Sequence, residues 1–327
     1  MAKKKQVFDD GYIETEDILE DIEKAVAREY KKAHREITEK LNDYLRQFRE
    51  EDEKQKALLD AGKITEKEYQ DWRYRHICIG KRWDDMRKTL AEDYYKADVI
   101  AKQAISKELP SVYAVNYNFA TYQIMKTGQL RYSFTLYNHS TVERLLTKNP
   151  KMLPDPGKKT ASKIARGEAV RWNEKQIQSS ITQSILQGES IAKAALRLEA
   201  VTEKGFNAAM RNARTAITGA QNAGRQDSYR HAEDLGIKLK RRWIATLDDR
   251  TRHEHRELHG QVVEIDEPFV VDGEEIMFPG DPSAEPSLVY NCRCATESVV
   301  AGFEGDLVTH SDKMQDMTYE EWKEGGF

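Results

Sequence analysis

Two of the three cysteines, Cys292 and Cys294, stand one residue apart, and three of the eight histidines, His253, His255 and His259, precede them within the stretch Trp243–Thr296. On a helix, His255 and His259 would share a face and could grip one ion. Cysteines at alternate positions of a strand or turn also point the same way. His255, His259, Cys292 and Cys294 would then form a closed tetrahedral zinc site, and a small module gains stability from such a staple. The competing reading needs no metal: His255 hydrogen-bonds a backbone or carboxylate group, and the cysteines pack as small apolar side chains. Cys-x-Cys is a weaker zinc signature than Cys-x-x-Cys.

Other chemistry has less support. Cys292 or Cys294 near His255 and Asp248 would imitate a Cys/His/Asp nucleophile arrangement, but no nucleophile elbow or Gly-rich oxyanion loop accompanies them. Nor is there a phosphate-binding Gly-rich loop. Asp248, Asp249 and Arg250 read as a cap with local ion pairs. Lys238, Lys240, Arg241 and Arg242 form the strongest basic cluster, and Lys158, Lys159, Lys163 and Arg166 a smaller one. Either offers non-specific contact with a phosphate backbone. No helix-turn-helix, finger or other reader fold is visible. Tyr113, Tyr117, Tyr122, Tyr132 and Tyr137 would suit stacked bases, but few Lys or Arg lie among them, which favours packing between helices. His76 and Cys78, two apart on a helix, point in different directions and read as core or boundary residues.

The elements that must position these groups are mostly long helices. The chain has 327 residues, 33% charged and 39% hydrophobic, a balance that suits solvated amphipathic helices. A net charge of −4 argues against a wholly basic nucleic-acid coat. No run is long and apolar enough to span a membrane. Met1-Ala-Lys-Lys-Lys5 lacks the apolar core of a signal peptide, so a cytoplasmic protein is expected, and three cysteines suggest no disulfide framework. Ile18, Ile22, Val26, Tyr30, Ala33, Ile37, Leu41, Tyr44 and Phe48 predict one helix over 15–50, capped by Thr15. Gly62 ends a helix, and Thr65 with Glu68 forms a capping box, with Ile64 and Tyr69 as its hydrophobic staple. The next helix runs from Glu66 to Leu109, where Pro110 stops it, with Trp72, His76, Ile79, Trp83, Met86, Leu90 and Tyr94 on one face.

Asn149 to Gly157 reads as a loop. Asn173 and Gln176 cap a helix carrying Ile177, Ile181 and Ile185 and ending at Gly188. A short helix over 190–198 follows, and then a long Ala- and Gly-rich one over 203–235, stopped by Gly236. Beyond it the periodicity changes. Lys238–Leu247 alternates as a strand with Leu239, Arg241, Trp243 and Ala245 on one side. Asp249 or Thr251 caps a short helix ending at Gly260. Val262–Ile265 is a strand, and Phe269–Phe278 a hairpin turning at Asp272-Gly273. A Pro-rich loop leads to a last strand near Arg293–Val300. Trp243, Leu258, Phe269, Phe278 and Cys292 are the expected buried anchors.

The residues of this module resemble a known family. Trp243, the run Asp248–Arg252, His255, Leu258, Gly260, Pro279, Pro282, Pro286 and Asn291–Cys294 resemble the Mu F-like and SPP1 gp7-like head morphogenesis proteins of tailed phages. The small-residue segment Arg211–Arg225 is similar to the helix that precedes the module in that family. Its motif core here is Trp243, Asp248, Arg250, Leu258, Gly260 and Asn291. Some members carry Cys-x-x-Cys at the positions of Arg252 and His255, of which only His255 keeps a ligand-capable side chain.

The expected fold is therefore mainly α with a small C-terminal α+β module: long amphipathic helices and a helical hairpin, then a compact sheet-containing domain. The expected divisions are a long-helix hairpin region over 1–110, a helical middle domain over 111–236, the Mu F-like module over 237–300 and a tail over 301–327. The resemblance implies a non-enzymatic minor capsid protein of the virion, located in the capsid interior or at the portal vertex and in the host cytoplasm during assembly. It implies association with the portal, with capsid or scaffold proteins and non-specifically with genomic DNA, and a part in DNA ejection. The alternatives are a His/Cys-dependent enzyme or toxin-like effector, or a DNA-binding accessory protein. The stretch after Ala295 is expected to leave no room for an added catalytic domain.

Overall fold

The computed structural model describes residues 9–148, 175–176, 179–180, 182–184, 187, 191–304 and 307–325. Long helices joined to small antiparallel sheets build it, as expected. The chain falls into two compact units, one comprising Met1–Ile22, Ile105–Pro156 and Arg211–Phe327, the other Glu23–Ala104 and Gly157–Met210. The expected divisions at 110 and 300 fall inside a helix and a strand, because single elements run straight through them.

In the second unit the apolar stripes set the structure. Helix α1, Asp10–Arg46, buries Val26, Tyr30, Ala33, Ile37, Leu41 and Tyr44 at steps of three and four. It begins earlier than expected: the Asp9 carboxylate accepts from Tyr12 N at 2.7 Å and serves as the cap. Thr15, expected there, is buried within the helix and donates to Gly11 O. The stripe breaks after Arg46, and α2, Arg49–Asp60, continues to Gly62, which takes φ +67°. Helix α3, Glu66–Ile77, starts on the expected capping box: Thr65 Oγ1 accepts from Glu68 N, and Glu68 accepts from Thr65 N at 2.8 Å.

Two expectations fail next. The helix stops at Cys78, with Gly80 at φ +105°, and α4 runs from Lys81 to Gly128 straight through Pro110. A proline removes one backbone donor, but Leu109, Val112 and Tyr113 are buried beside it, and that packing carries the helix through. The break at Gly80 also shifts the helical phase. Tyr69, Arg73, Ile77 and Cys78 are therefore buried, whereas His76 and Ile79 are exposed. Trp83, Leu90 and Tyr94 keep their expected inward face.

In the first unit, β1, Leu130–Tyr132, and α5, His139–Lys148, follow α4. Tyr113, Tyr117, Tyr122 and Tyr132 are buried, and Tyr137 stacks on Tyr117 at 4.0 Å, so these tyrosines pack as core. The two helices expected over 190–235 are one, α6, Ile191–Asp234, stopped by Gly236 at φ +94°. The reason for its small residues is visible at Gly224, where an added Cβ would sit 2.4 Å from Tyr113 O. The basic patch at 158–166 and most of the helix expected after Asn173 lie outside the described residues.

Strand β2, Ile237–Ile244, pairs antiparallel with β3, Val262–Glu264, on one side and β6, Ala295–Phe303, on the other. Between them come α7, His253–Leu258, and the hairpin of β4, Phe269–Val271, and β5, Glu274–Ile276. Asp272 and Gly273 take φ +52° and +81°, the pair of positive values a type I′ turn requires. A short helix α8, Pro286–Val289, precedes Cys292. One core comprises Trp243, Leu258, Phe269, Ile276, Leu288, Cys292 and Cys294. Phe278 is only half-buried, because β5 ends at Ile276 and that residue takes the inward position.

The stretch expected as a tail is part of the fold. Strand β7, Val308–His310, pairs with β1. Helices α9, Lys313–Asp316, and α10, Tyr319–Lys323, follow it and bring Met314, Met317, Tyr319 and Trp322 into a second core with Tyr122, Met125 and Tyr229.

Candidate functional site

One short helix, α7, and the loop before β6 bring the module's chemical groups together. His255, Cys292 and Cys294 are all buried, and their ligand atoms lie within 4.8 Å of one another. His255 Nδ1 is 3.3 Å from Cys294 Sγ and 3.6 Å from Cys292 Sγ. Its Nε2 lies 2.9 Å from Leu288 O. A carbonyl only accepts, so Nε2 carries a proton, and Nδ1 is turned toward both sulfurs. Cys294 N donates to Cys292 Sγ at 3.3 Å. Burial pushes the Cys292 thiol well up. Cys294 is the better thiolate of the pair, held well down by the adjacent Cys292 thiol and by His255 despite its own burial.

His259, expected as a fourth ligand, is not there. Helix α7 ends at Leu258, and His259 turns to an extended backbone with ψ 123°, so the four-residue spacing no longer puts it on the face of His255. Its ring is exposed, and Nδ1 accepts from Ala245 N at 3.1 Å. The cap expected from Asp249 or Thr251 is also absent: Arg252 occupies that position without a side-chain cap. Asp248 instead binds the Arg293 guanidinium through both oxygens at 2.6 and 2.7 Å and accepts from Arg250 N. That pairing holds its carboxyl well below the usual range. Asp248 therefore plays no part at the cysteines, which removes the third member of the imagined nucleophile arrangement.

The loop carrying the cysteines is fixed by α6. Thr215 Oγ1 accepts from Asn291 N, Thr218 Oγ1 donates to Cys292 O at 2.7 Å, and Asn222 donates to Cys294 O and accepts from Thr296 N at 2.9 Å. Gln226 donates to Ile265 O, and Tyr229 to Thr296 O. Sequence reading missed this polar row, although Thr215, Thr218, Asn222 and Gln226 recur at helical spacing among the small residues. Asn291 takes φ +56°, a turn conformation that asparagine tolerates.

The basic cluster is spoken for. Arg241 is fully buried on the inward side of β2, donating to Gln226 Oε1 at 2.9 Å and to the carbonyls of Met277 and Glu267. It has no surface to offer DNA. Lys238 pairs with Glu304, Lys240 with Glu264 and Arg242 with Glu297. A second buried cation is Arg225, which binds the Asp9 carboxylate at 2.7 and 2.9 Å, Asn116 Oδ1 at 3.0 Å and Thr296 O at 3.0 Å. Of the motif core, Trp243 and Leu258 are fully buried, Arg250 is exposed 3.6 Å from Asp248, and Gly260 takes φ +84° after α7.

Residues 175–297 match the family described as Phage Mu protein F like protein. The chain is 30% identical over 206 residues to NAD(+)--arginine ADP-ribosyltransferase EFV of Enterococcus faecalis, a match covering 62% of this chain and 40% of that protein. It is 28% identical over 226 residues to minor head protein GP7 of Bacillus phage SPP1, covering 68% of this chain and 69% of GP7. It is 30% identical over 127 residues to the uncharacterized protein YqbB of Bacillus subtilis, covering 38% and 41%. The chain thus spans less than half of the first and third of these relatives. No solved structure matches it. The matched range takes in α6, its polar row and the module that this row holds, so residues 175–297 are similar to Phage Mu protein F like proteins, and the chain is similar over most of its length to a phage minor head protein.

Proposed function

We propose that this chain is a structural minor capsid protein, placed inside the head or at the portal vertex, that associates with the portal during assembly. The observation that carries the reading is the likeness to a minor head protein over most of both chains. The interior shared by α6 and the module supports it: the polar groups of Arg225, Arg241, Thr218 and Asn222 are tied to backbone carbonyls and to the Asp9 carboxylate, which suits a rigid docking body. Among the described residues no helix is long and apolar enough to cross a membrane.

The portal contact is assigned to the long helices, whose charged outer faces suit a helical partner. Co-expression with the portal protein encoded beside it, followed by affinity purification, tests the assignment. Co-elution that is lost when residues 23–104 are deleted supports it. Co-elution unaffected by that deletion, with the remaining protein folded, sinks it.

A second reading is ADP-ribosyl transfer from NAD(+) to arginine, the activity in the name of one relative. The match leaves the larger part of that relative uncovered. Purified protein incubated with NAD(+) and an arginine-rich acceptor is expected to transfer no label. Transfer above a heat-denatured control would replace the structural reading.

Genomic DNA is a weak partner at best for strand β2. Reaching phosphates with Lys238, Lys240 or Arg242 means breaking their pairs with Glu304, Glu264 and Glu297.

A further inference from the structure

We propose that His255, Cys292 and Cys294 bind one zinc ion, which ties α7 to the loop before β6; the inference stands independently of the portal assignment. The distances fit the ion. Zinc bound at about 2.3 Å to sulfur and about 2.0 Å to nitrogen in a tetrahedron sets nitrogen and sulfur about 3.5 Å apart. The two Nδ1–Sγ distances here are 3.3 and 3.6 Å.

The surroundings of a ligand histidine are also in place. A metal-bound imidazole donates its other N–H to a carbonyl or carboxylate, which fixes the tautomer and aims the lone pair. Nε2 does this to Leu288 O at 2.9 Å.

Burial adds a second argument. The three residues sit in an apolar core with Trp243, Leu258 and Phe269. Zinc with two thiolates is electrically neutral, so the group can be buried without a net charge. Binding displaces the two thiol protons to solvent. Trp243 stands edge-on to the His255 ring with centroids 6.0 Å apart, and its buried N–H is turned to Cys294, where it favours the thiolate. Among the described residues no fourth His, Cys, Asp or Glu joins the group, so water takes the fourth position, as in other sites with two cysteines and one histidine.

The test uses the full chain, purified without chelator from zinc-supplemented cells. Elemental analysis is expected to find one zinc per chain, unchanged in His259→Ala and lost in His255→Ala and Cys292→Ser. Alkylation of Cys292 and Cys294 is expected to be slow until chelator is added, with the rate at Cys78 unchanged. If the variants do not fold, cobalt replacement in the wild-type chain decides. Tetrahedral visible bands with thiolate-to-cobalt charge transfer support the site. A six-coordinate, oxygen-ligand spectrum overturns it. So does folded wild-type protein that takes up no zinc from excess, a Cys292–Cys294 disulfide by mass in fresh protein, or zinc retained in His255→Ala or Cys292→Ser.

Discussion

The helical hairpin within residues 23–104 and the sheet module over 237–300 bury their interiors in opposite ways. The hairpin relies on apolar stripes, with Val26, Ile37, Leu41 and Leu90 at or near complete burial. Several of its ion pairs sit on the outside, such as Arg46–Asp43, with both side chains about two-thirds exposed. The module and the helix α6 that holds it bury polar groups and tie them to residues far along the chain: on α6, Arg225 reaches Asp9, and Asn222 reaches Cys294 and Thr296. Stripes tolerate change in proportion to what is removed. A buried polar network loses partners at both ends of every bond, so damage to it spreads.

The sharpest break of that contrast is a pair of substitutions. Arg225→Met leaves the Asp9 carboxylate, Asn116 and Thr296 O without their cation, and a loss of about 3–5 kcal/mol is expected in urea unfolding. Arg46→Ala in the hairpin should change stability by no more than about 0.5 kcal/mol. Equal effects would end the distinction.

Next comes Trp322→Ala, which empties a fully buried site and removes the contact of Nε1 with Met125 Sδ at 3.2 Å. About 3–5 kcal/mol should be lost, and limited proteolysis should then cut after Phe303. A smaller loss, about 1–3 kcal/mol, is expected from Gly224→Ala, whose Cβ has no space beside Tyr113 O. Gly62, with open space around it, is the contrast: there only the positive φ resists a side chain, at about 1 kcal/mol.

The smallest effect is in pH. Asp248 is depressed by Arg293. Its folded value lies below its unfolded one, so its contribution is fully present above the ordinary carboxylate range and is lost as pH falls through the folded value. Arg293→Met should therefore flatten the acid limb of the stability curve by lowering stability at neutral pH, while leaving the acid end, where Asp248 is protonated, nearly unchanged. An unaltered acid limb would show that the pair does not contribute.

Local signals were legible where one residue's neighbours in sequence are also its neighbours in space. The Thr65/Glu68 capping box, the Asp272-Gly273 turn, the inward face Leu239, Arg241 and Trp243 of β2 and the stripe of α1 are all of this kind. The family motif was legible for another reason: it lies in one continuous stretch. Legibility failed where phase or partner is set at a distance. The shift at Gly80 moved the α3 face, Pro110 passed through α4 because packing outweighs one missing bond, and Lys238, Lys240 and Arg242 looked like a binding patch until their glutamates arrived from β3, β6 and Glu304. His259 failed through a single backbone turn at the end of a six-residue helix.

Sequence alone determined the helical stripes, the strand alternation and the residue types that can meet at the module's centre, because periodicity and turn chemistry act over a few residues. Only the tertiary structure decided that His255, and not His259, faces the two cysteines. It also decided that Arg225 and Arg241 are internal and that Trp322 closes a core built largely by residues almost two hundred positions earlier. Those outcomes depend on which distant backbone carbonyls, carboxylates and apolar surfaces reach each side chain, and no local pattern encodes that distance.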